Sequence, residues 1–158
     1  MIIYVIADTH FNHKLLVEKY WRIFNYEKIL KINLWRIKKR DMLIHLWDIC
    51  IGKDRVMHEK YIKPLQCKKL LVRWNHDRKS THWYLNNWRD WVVDEYVLKV
   101  KWKRVLLSHI PVSELPKERY NIHWHTHDRP IPPISEYHRL YSPEIENYKP
   151  KNIEHFID

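Results

Sequence analysis

Short apolar runs, each closed by a carboxylate, amide or imidazole, recur along the chain and set its reading. The first covers residues 2–7 and runs into Asp8 and His10. Its length and its β-branched and aromatic content predict a buried strand. The same pattern returns at 42–46 before Trp47-Asp48, at 69–73 before Trp74-Asn75-His76-Asp77, at 104–108 before His109, and at 120–127, which carries His123, His125 and His127. Residues 93–100 alternate in part, with Tyr96, Leu98 and Val100 on one face, and predict a half-exposed strand. A last strand is expected over 138–142. Helical spacing fills the intervals. A short helix is expected over 14–20. A longer one runs from an Asn25 cap to about Lys39, with Tyr26, Ile29, Leu30, Leu34 and Ile37 on one face. Lys38, Lys39 and Arg40 would then complement the negative end of its dipole. Asp54 is a candidate cap for a helix over 55–62, Ser80 for one reaching Asn87, and 152–157 reads as a terminal helical stub. Residues 111–119 and 130–133 read as proline-bearing loops. Early strand–helix alternation followed by a strand-rich half argues for an α/β core with mixed sheets.

The chain is 158 residues long, enough for one domain with a sizeable core. It holds no apolar run long enough to span a membrane. Residues 1–7 lack a basic start and a small-residue cleavage site, so no secretory signal is expected. Cys50 and Cys67 have no metal-ligand spacing and fit buried thiols in a reduced, cytoplasmic setting. The formal net charge of +10 favours a phosphate-bearing partner, such as a nucleotide or nucleic acid. The sequence sets no oligomeric state.

The strand ends carry the candidate chemistry: Asp8/His10, Asp48, Asn75/His76, His109 and His125/His127. Open α/β sheets place their sites at the carboxyl ends of strands. The i, i+2 spacing of Asp8 and His10 aims both side chains the same way. Mixed oxygen and nitrogen donors suit a borderline divalent metal. Singly, each residue also fits a cap, a turn or a core histidine. The ordered set is what points to a site.

That set resembles the calcineurin-like metallophosphoesterases. Their pattern is Asp-x-His, Gly-Asp, Gly-Asn-His-Asp/Glu, a His after a strand, and Gly-His-x-His. Here the five blocks read Asp8-Thr9-His10, Trp47-Asp48, Trp74-Asn75-His76-Asp77, Ser108-His109 and Trp124-His125-Thr126-His127, in order over residues 8–127. The resemblance implies a single domain over residues 1–158, built as two mixed β-sheets packed in a sandwich and flanked by helices. It implies two divalent metal ions, with Mn first and Fe, Ni or Zn as alternatives. One would take Asp8, His10 and His127, the other Asn75, His109 and His125, with Asp48 bridging. His76 would be the general acid or transition-state stabiliser, oriented by Asp77. His13, Arg78 and Lys79 lie beside motif residues and are candidates to bind substrate phosphate. The implied activity is hydrolysis of a phosphomonoester or phosphodiester. The competing class is a catalytically degenerate module that binds phosphate or nucleic acid. A dinucleotide-binding fold is disfavoured, because no G-x-G-x-x-G follows the first strand.

Glycine is the anomaly. A chain of this length ordinarily holds about eleven, at roughly 7% usage. This one holds one, Gly52, against nine tryptophans. The glycines of the resembled motifs are Trp47, Trp74 and Trp124 here, and Trp21, Trp88 and Trp102 match further glycine positions of similar small phosphoesterases. Trp35, Trp83 and Trp91 show no such match. The pattern points to a gene in which UGA encodes glycine. The coding DNA tests this directly: TGA is expected at the six positions and TGG at Trp83. TGG at all six would refute recoding and favour the degenerate module.

Overall fold

The computed structural model describes residues 1–20, 22–74, 76–88, 90–115, 119–123 and 136–157. Of the residues singled out above, Trp21, Asn75, Trp124, His125 and His127 lie outside the described residues, as do parts of the 111–119 loop, the end of the 120–127 strand and the 130–133 loop.

Two sheets form the body. The first contains β1 (Ile3–Ala7), β2 (Met42–Leu46), β3 (Lys68–Val72), β4 (Trp91–Val93) and β9 (Lys151–Asn152), in the order β4-β3-β2-β1-β9. Strands β1 to β4 run parallel and β9 pairs antiparallel to β1. The second contains β5 (Tyr96–Val100), β6 (Lys103–Leu107), β7 (Arg119–His123) and β8 (His138–Leu140), in that order. There β5 and β6 pair antiparallel, while β6, β7 and β8 run parallel. Both sheets are therefore mixed. Helices α1 (Lys14–Lys19), α2 (Tyr26–Leu34), α3 (Asp54–Met57) and α4 (Thr81–Trp88) flank them. Val5, Ile44 and Leu71 of one sheet and Val105, Leu107 and Ile122 of the other belong to one buried apolar cluster. This is the expected sandwich.

The continuous apolar runs became the inner parallel strands. Every residue of β2 is buried, as a central parallel strand with both faces covered requires. His45 is its polar exception. Thr9 Oγ1 lies 2.9 Å from His45 Nε2 and also donates to the Ile49 carbonyl, so its lone pair is left to accept from the imidazole. Burial, then the neighbouring His58, push the His45 pKa down to about 3. The ring is therefore neutral, and it ties β2 to the turn after β1.

Several boundaries moved. Helix α2 ends at Leu34, about a turn before the expected Lys39. Beyond the turns that follow, Asp41 Oδ1 accepts from the Ile2 amide at 2.9 Å, and Met42 comes into register with Ile3. Ile37 is still buried. Asn25 precedes α2 without a side-chain capping bond. Asp54 is the first residue of α3 rather than its cap, and the helix continues as a π-turn over His58–Ile62. Ser80 does cap α4, accepting from the Trp83 amide at 3.2 Å. The expected strand over 93–100 is two strands in different sheets, β4 and β5, joined across Asp94 and Glu95. The carboxyl-terminal stub is a 3₁₀ turn over Ile153–Phe156, preceded by β9, which the sequence pattern did not reveal. Among the described residues, no helix is long and apolar enough to cross a membrane.

Candidate metal centre

The turns after β1 and β2 are built as a pair. His10 donates its amide to the Asp48 carbonyl at 3.0 Å, Phe11 to Ile49 at 2.9 Å, and Ile51 back to Phe11 at 3.0 Å. Pairing thus continues past the strand ends and fixes Asp8 and His10 against Asp48. Asp8, His10 and Asp48 all sit at left-handed φ, +47°, +44° and +47°. That conformation is strained for non-glycine residues and persists only where surroundings enforce it.

Here the enforcement is visible. Buried Arg22 donates through Nη1 to the carbonyls of Asp8 and Thr9, each at 3.1 Å, and pairs with Glu144 at 2.6 Å. Tyr26, on the first turn of α2, donates its hydroxyl to the His10 carbonyl at 2.7 Å. All three carbonyls of the Asp-Thr-His turn are captured. Asp77 clamps the next loops together: Oδ2 accepts from the amides of Asp48 at 3.0 Å and Trp74 at 3.1 Å, while Oδ1 lies 3.5 Å from the Ile49 amide. The structure thus shows Asp77 as a brace for main chain at the site. Sequence reading did not single out Arg22, Thr9 or Tyr26 as site residues. A lone arginine in a loop carries no periodic signal, and Tyr26 registered only as an apolar helix position.

What the turns hold is a buried cluster of donors. One ligand atom from each of Asp8, His10 and Asp48 lies within 4.8 Å of the others. His10 Nε2 is 3.2 Å from Asp8 Oδ1 and 3.8 Å from Asp48 Oδ2. Asp48 Oδ1 is buried with no hydrogen-bond partner among the described residues. The electrostatics match a site short of positive charge. Burial, then Asp48, raise the Asp8 pKa well above the usual carboxylate range. Burial and Asp77 lift Asp48 to about 7, and burial lifts Asp77 to about 6. A divalent cation would relieve this cost, and the oxygen–nitrogen donor set fits one.

The other expected residues fall around this cluster. His76 is exposed, with its ring 6.1 Å from that of His10. Partial burial, then Arg78, lower its pKa. The His13 ring is 5.5 Å from that of His10. Lys79 Nζ lies 3.9 Å from Asp54 Oδ2, which draws its charge toward α3. His109 is buried at the end of β6 but is not part of the donor cluster.

Trp47 shows why. Its backbone is left-handed, at φ +43°, its side chain is fully buried, and its Nε1 donates to Asp8 Oδ2 at 2.6 Å. The same indole meets His109 at a near-right angle with ring centres 4.9 Å apart, and Trp74 stacks on that imidazole at 4.8 Å. The Trp47 indole therefore touches both Asp8 and His109 and holds an Asp8 oxygen that a cation would need. Of the six tryptophans at glycine-like positions, Trp47 alone among the described residues has a left-handed φ. Trp102 stands 88% exposed beside left-handed Lys101 in the β5–β6 turn. At position 47 the left-handed backbone that favours glycine coincides with an indole bonded to the donor cluster.

The fold, two mixed sheets flanked by helices, matches the calcineurin-like phosphoesterase sandwich arrangement, and it carries a buried His/Asp cluster that could hold a metal ion. No family model matches the chain. It is 26% identical over 165 residues to an uncharacterized protein of Methanocaldococcus jannaschii, covering 96% of this chain and 87% of that one. A crystal structure of a protein of unknown function from Aquifex aeolicus superposes with a TM-score of 0.75 at 26% identity, over 99% of this chain and 97% of that one. A structure described as a novel archaeal phosphodiesterase shares the fold, with a TM-score of 0.53 at 15% identity over 89% and 82% of the two chains.

Two opposed costs attend Trp47→Gly. Emptying a buried aromatic site costs about 3–5 kcal/mol, whereas relief of the backbone strain returns about 1–3 kcal/mol. The metal-free variant is expected to melt lower than the parent. Its Mn²⁺ affinity is expected to rise about tenfold or more, because Asp8 loses a donor worth about 1.5–3 kcal/mol to a charged acceptor. Metal titration followed by calorimetry reads both. Unchanged or weaker Mn²⁺ binding would show that the indole does not obstruct the site.

Proposed function

We propose that this chain is a metal-dependent phosphoesterase that hydrolyses a phosphomonoester or phosphodiester. The observation that carries the reading is the buried Asp8–His10–Asp48 cluster at the carboxyl ends of two adjacent parallel strands. In this reading Asp8, His10 and His127 hold one divalent cation, Asn75, His109 and His125 hold a second, and Asp48 serves both. Mn²⁺ is the first candidate, with Fe, Ni and Zn as alternatives. When bound, the two cations supply charge that neutralises phosphoryl oxygens and an activated water for attack at phosphorus.

The chain's own residues do the rest. Arg22, Tyr26 and Asp77 hold the donors in place before substrate arrives, so little reorganisation remains for the reaction. His76 stands beside the cluster with a proton-accepting and proton-donating ring. Partial burial, then Arg78, lower its pKa and so favour the neutral ring in the free protein. An anionic phosphoester placed beside it raises that pKa, so the proton for the leaving alkoxide is loaded by the substrate that uses it. In this reading Arg78, which opposes that proton in the free chain, binds the substrate phosphate.

The degenerate-module alternative draws on one observation, the Trp47 indole bonded to Asp8. Glycine at position 47 removes it, so the two readings part on the Trp47→Gly protein.

Hydrolysis of nitrophenyl phosphoesters by that protein is expected to be lost on thorough chelation and restored by Mn²⁺. His76→Ala is expected to lower turnover by roughly 10²–10⁴, with metal content preserved. The loss should shrink for acidic leaving groups such as nitrophenol and grow for alkyl alcohols. Hydrolysis that survives metal removal would contradict the mechanism. An equal loss across leaving groups would restrict His76 to positioning the phosphoryl group.

A further inference from the structure

Beside the donor cluster lies a groove that the phosphoryl chemistry leaves unused. It has a volume of about 700 Å³ and runs between α1, α2 and the π-turn, with His13 at its rim. His13 also borders the site, its ring 5.5 Å from that of His10, so the groove opens one side chain away from a metal ligand. The space far exceeds a phosphate group and falls in the range, about 300–1,000 Å³, that suits organic ligands.

Its walls carry two kinds of chemistry. Lys14, Lys28, Lys31 and Lys60 line it, against the carboxylates of Glu18 and Glu27. Glu27 is committed internally: Oε1 accepts from the Asn12 amide at 2.6 Å and Oε2 from the Tyr61 hydroxyl at 2.7 Å. The groove therefore presents excess positive charge. It also presents a bare aromatic face, since Phe24 on its wall is 91% exposed. A phenylalanine this exposed, among lysines and beside a phosphoryl site, matches a ligand that joins a flat apolar ring to an anion. A nucleobase attached to phosphate has that composition, and base–aromatic stacking tolerates any base.

We propose that this groove holds the nucleoside part of a nucleotide ester, with Phe24 stacking the base and the lysines offsetting phosphate charge. The proposal rests on the phosphoesterase reading for its reaction but not for its binding.

The test separates the two. Metal-free protein is titrated with a fluorescent derivative of adenosine monophosphate, in the parent and in Phe24→Ala and Lys31→Glu. Both changes lie outside the folding core. Saturable binding is expected, weakened by about tenfold in Phe24→Ala, in line with the loss of one base stack, and weakened also in Lys31→Glu. Unlabelled adenosine monophosphate should displace the probe, and inorganic phosphate at the same concentration should not. Displacement by phosphate alone, equal binding by both variants, or no binding would each overturn the groove assignment. With Mn²⁺ added and Trp47→Gly present in every protein compared, the variants should lose at least fivefold more kcat/KM on the p-nitrophenyl ester of thymidine 5′-phosphate than on bis-p-nitrophenyl phosphate, which shares its leaving group. Equal losses on the two esters would also overturn it. Nucleotide binding without hydrolysis of either ester would refute the phosphoesterase reading and leave the groove standing.

Discussion

Everything at the site depends on the capture of three main-chain carbonyls. The Asp8-Thr9-His10 turn leaves β1 in a conformation that costs energy at Asp8 and again at His10. Arg22 and Tyr26 occupy its carbonyls, and amide pairing with the Asp48 turn supplies the other side. A buried guanidinium is itself expensive unless fully bonded. Its ion pair with Glu144 reaches across 122 residues, so the donor cluster is tied to the carboxyl-terminal part of the chain as well as to the strands it follows. The aspartates are thereby brought together at a separation that their own charge opposes.

That opposition is what a bound cation would relieve. Three buried carboxylates, Asp8, Asp48 and Asp77, are held with raised pKa values, and one oxygen of Asp48 is left without a hydrogen bond among the described residues. Asp77 is relieved by backbone amides. Asp8 is relieved by an indole. The first is a brace compatible with a bound cation; the second competes with one. Trp47 therefore joins the composition anomaly to the site: the bulkiest side chain sits at a left-handed backbone position and is bonded to a carboxylate of the candidate donor cluster.

Much of this was legible in the sequence, for physical reasons that differ by element. Strand β2 is buried throughout, β1 over its last three residues and β3 over its last four, so they show as apolar runs, and the residues ending them stood out. Asp8, His10 and Asp48 could be named from that pattern, and the resemblance ordered them into one site. The division of residues 93–100 between two sheets was hidden, because alternation looks the same in either sheet. Strand β9 is two residues long and carries no period to detect. The expected helix ran too long because Ile37 keeps helical spacing and is buried, although α2 itself ends at Leu34. The supports Arg22 and Asp77 act through main-chain carbonyls and amides, which are absent from any residue pattern.

Proton release on cation uptake tests the central claim most directly. At pH 6 Asp48, with its pKa raised to about 7, is largely protonated in the metal-free protein, and burial raises the Asp8 pKa well above the usual carboxylate range, which favours its protonated form. A cation that takes their oxygens must displace those protons, and less so as the pH rises above 7. Calorimetric titration of Mn²⁺ into the Trp47→Gly protein, in two buffers of different ionisation heat, measures the count. The account predicts proton release at pH 6 that diminishes by pH 8, together with a marked loss of affinity and of part of that release in Asp48→Asn. Mn²⁺ binding that releases no protons at pH 6, with the same affinity in Asp48→Asn, would contradict it.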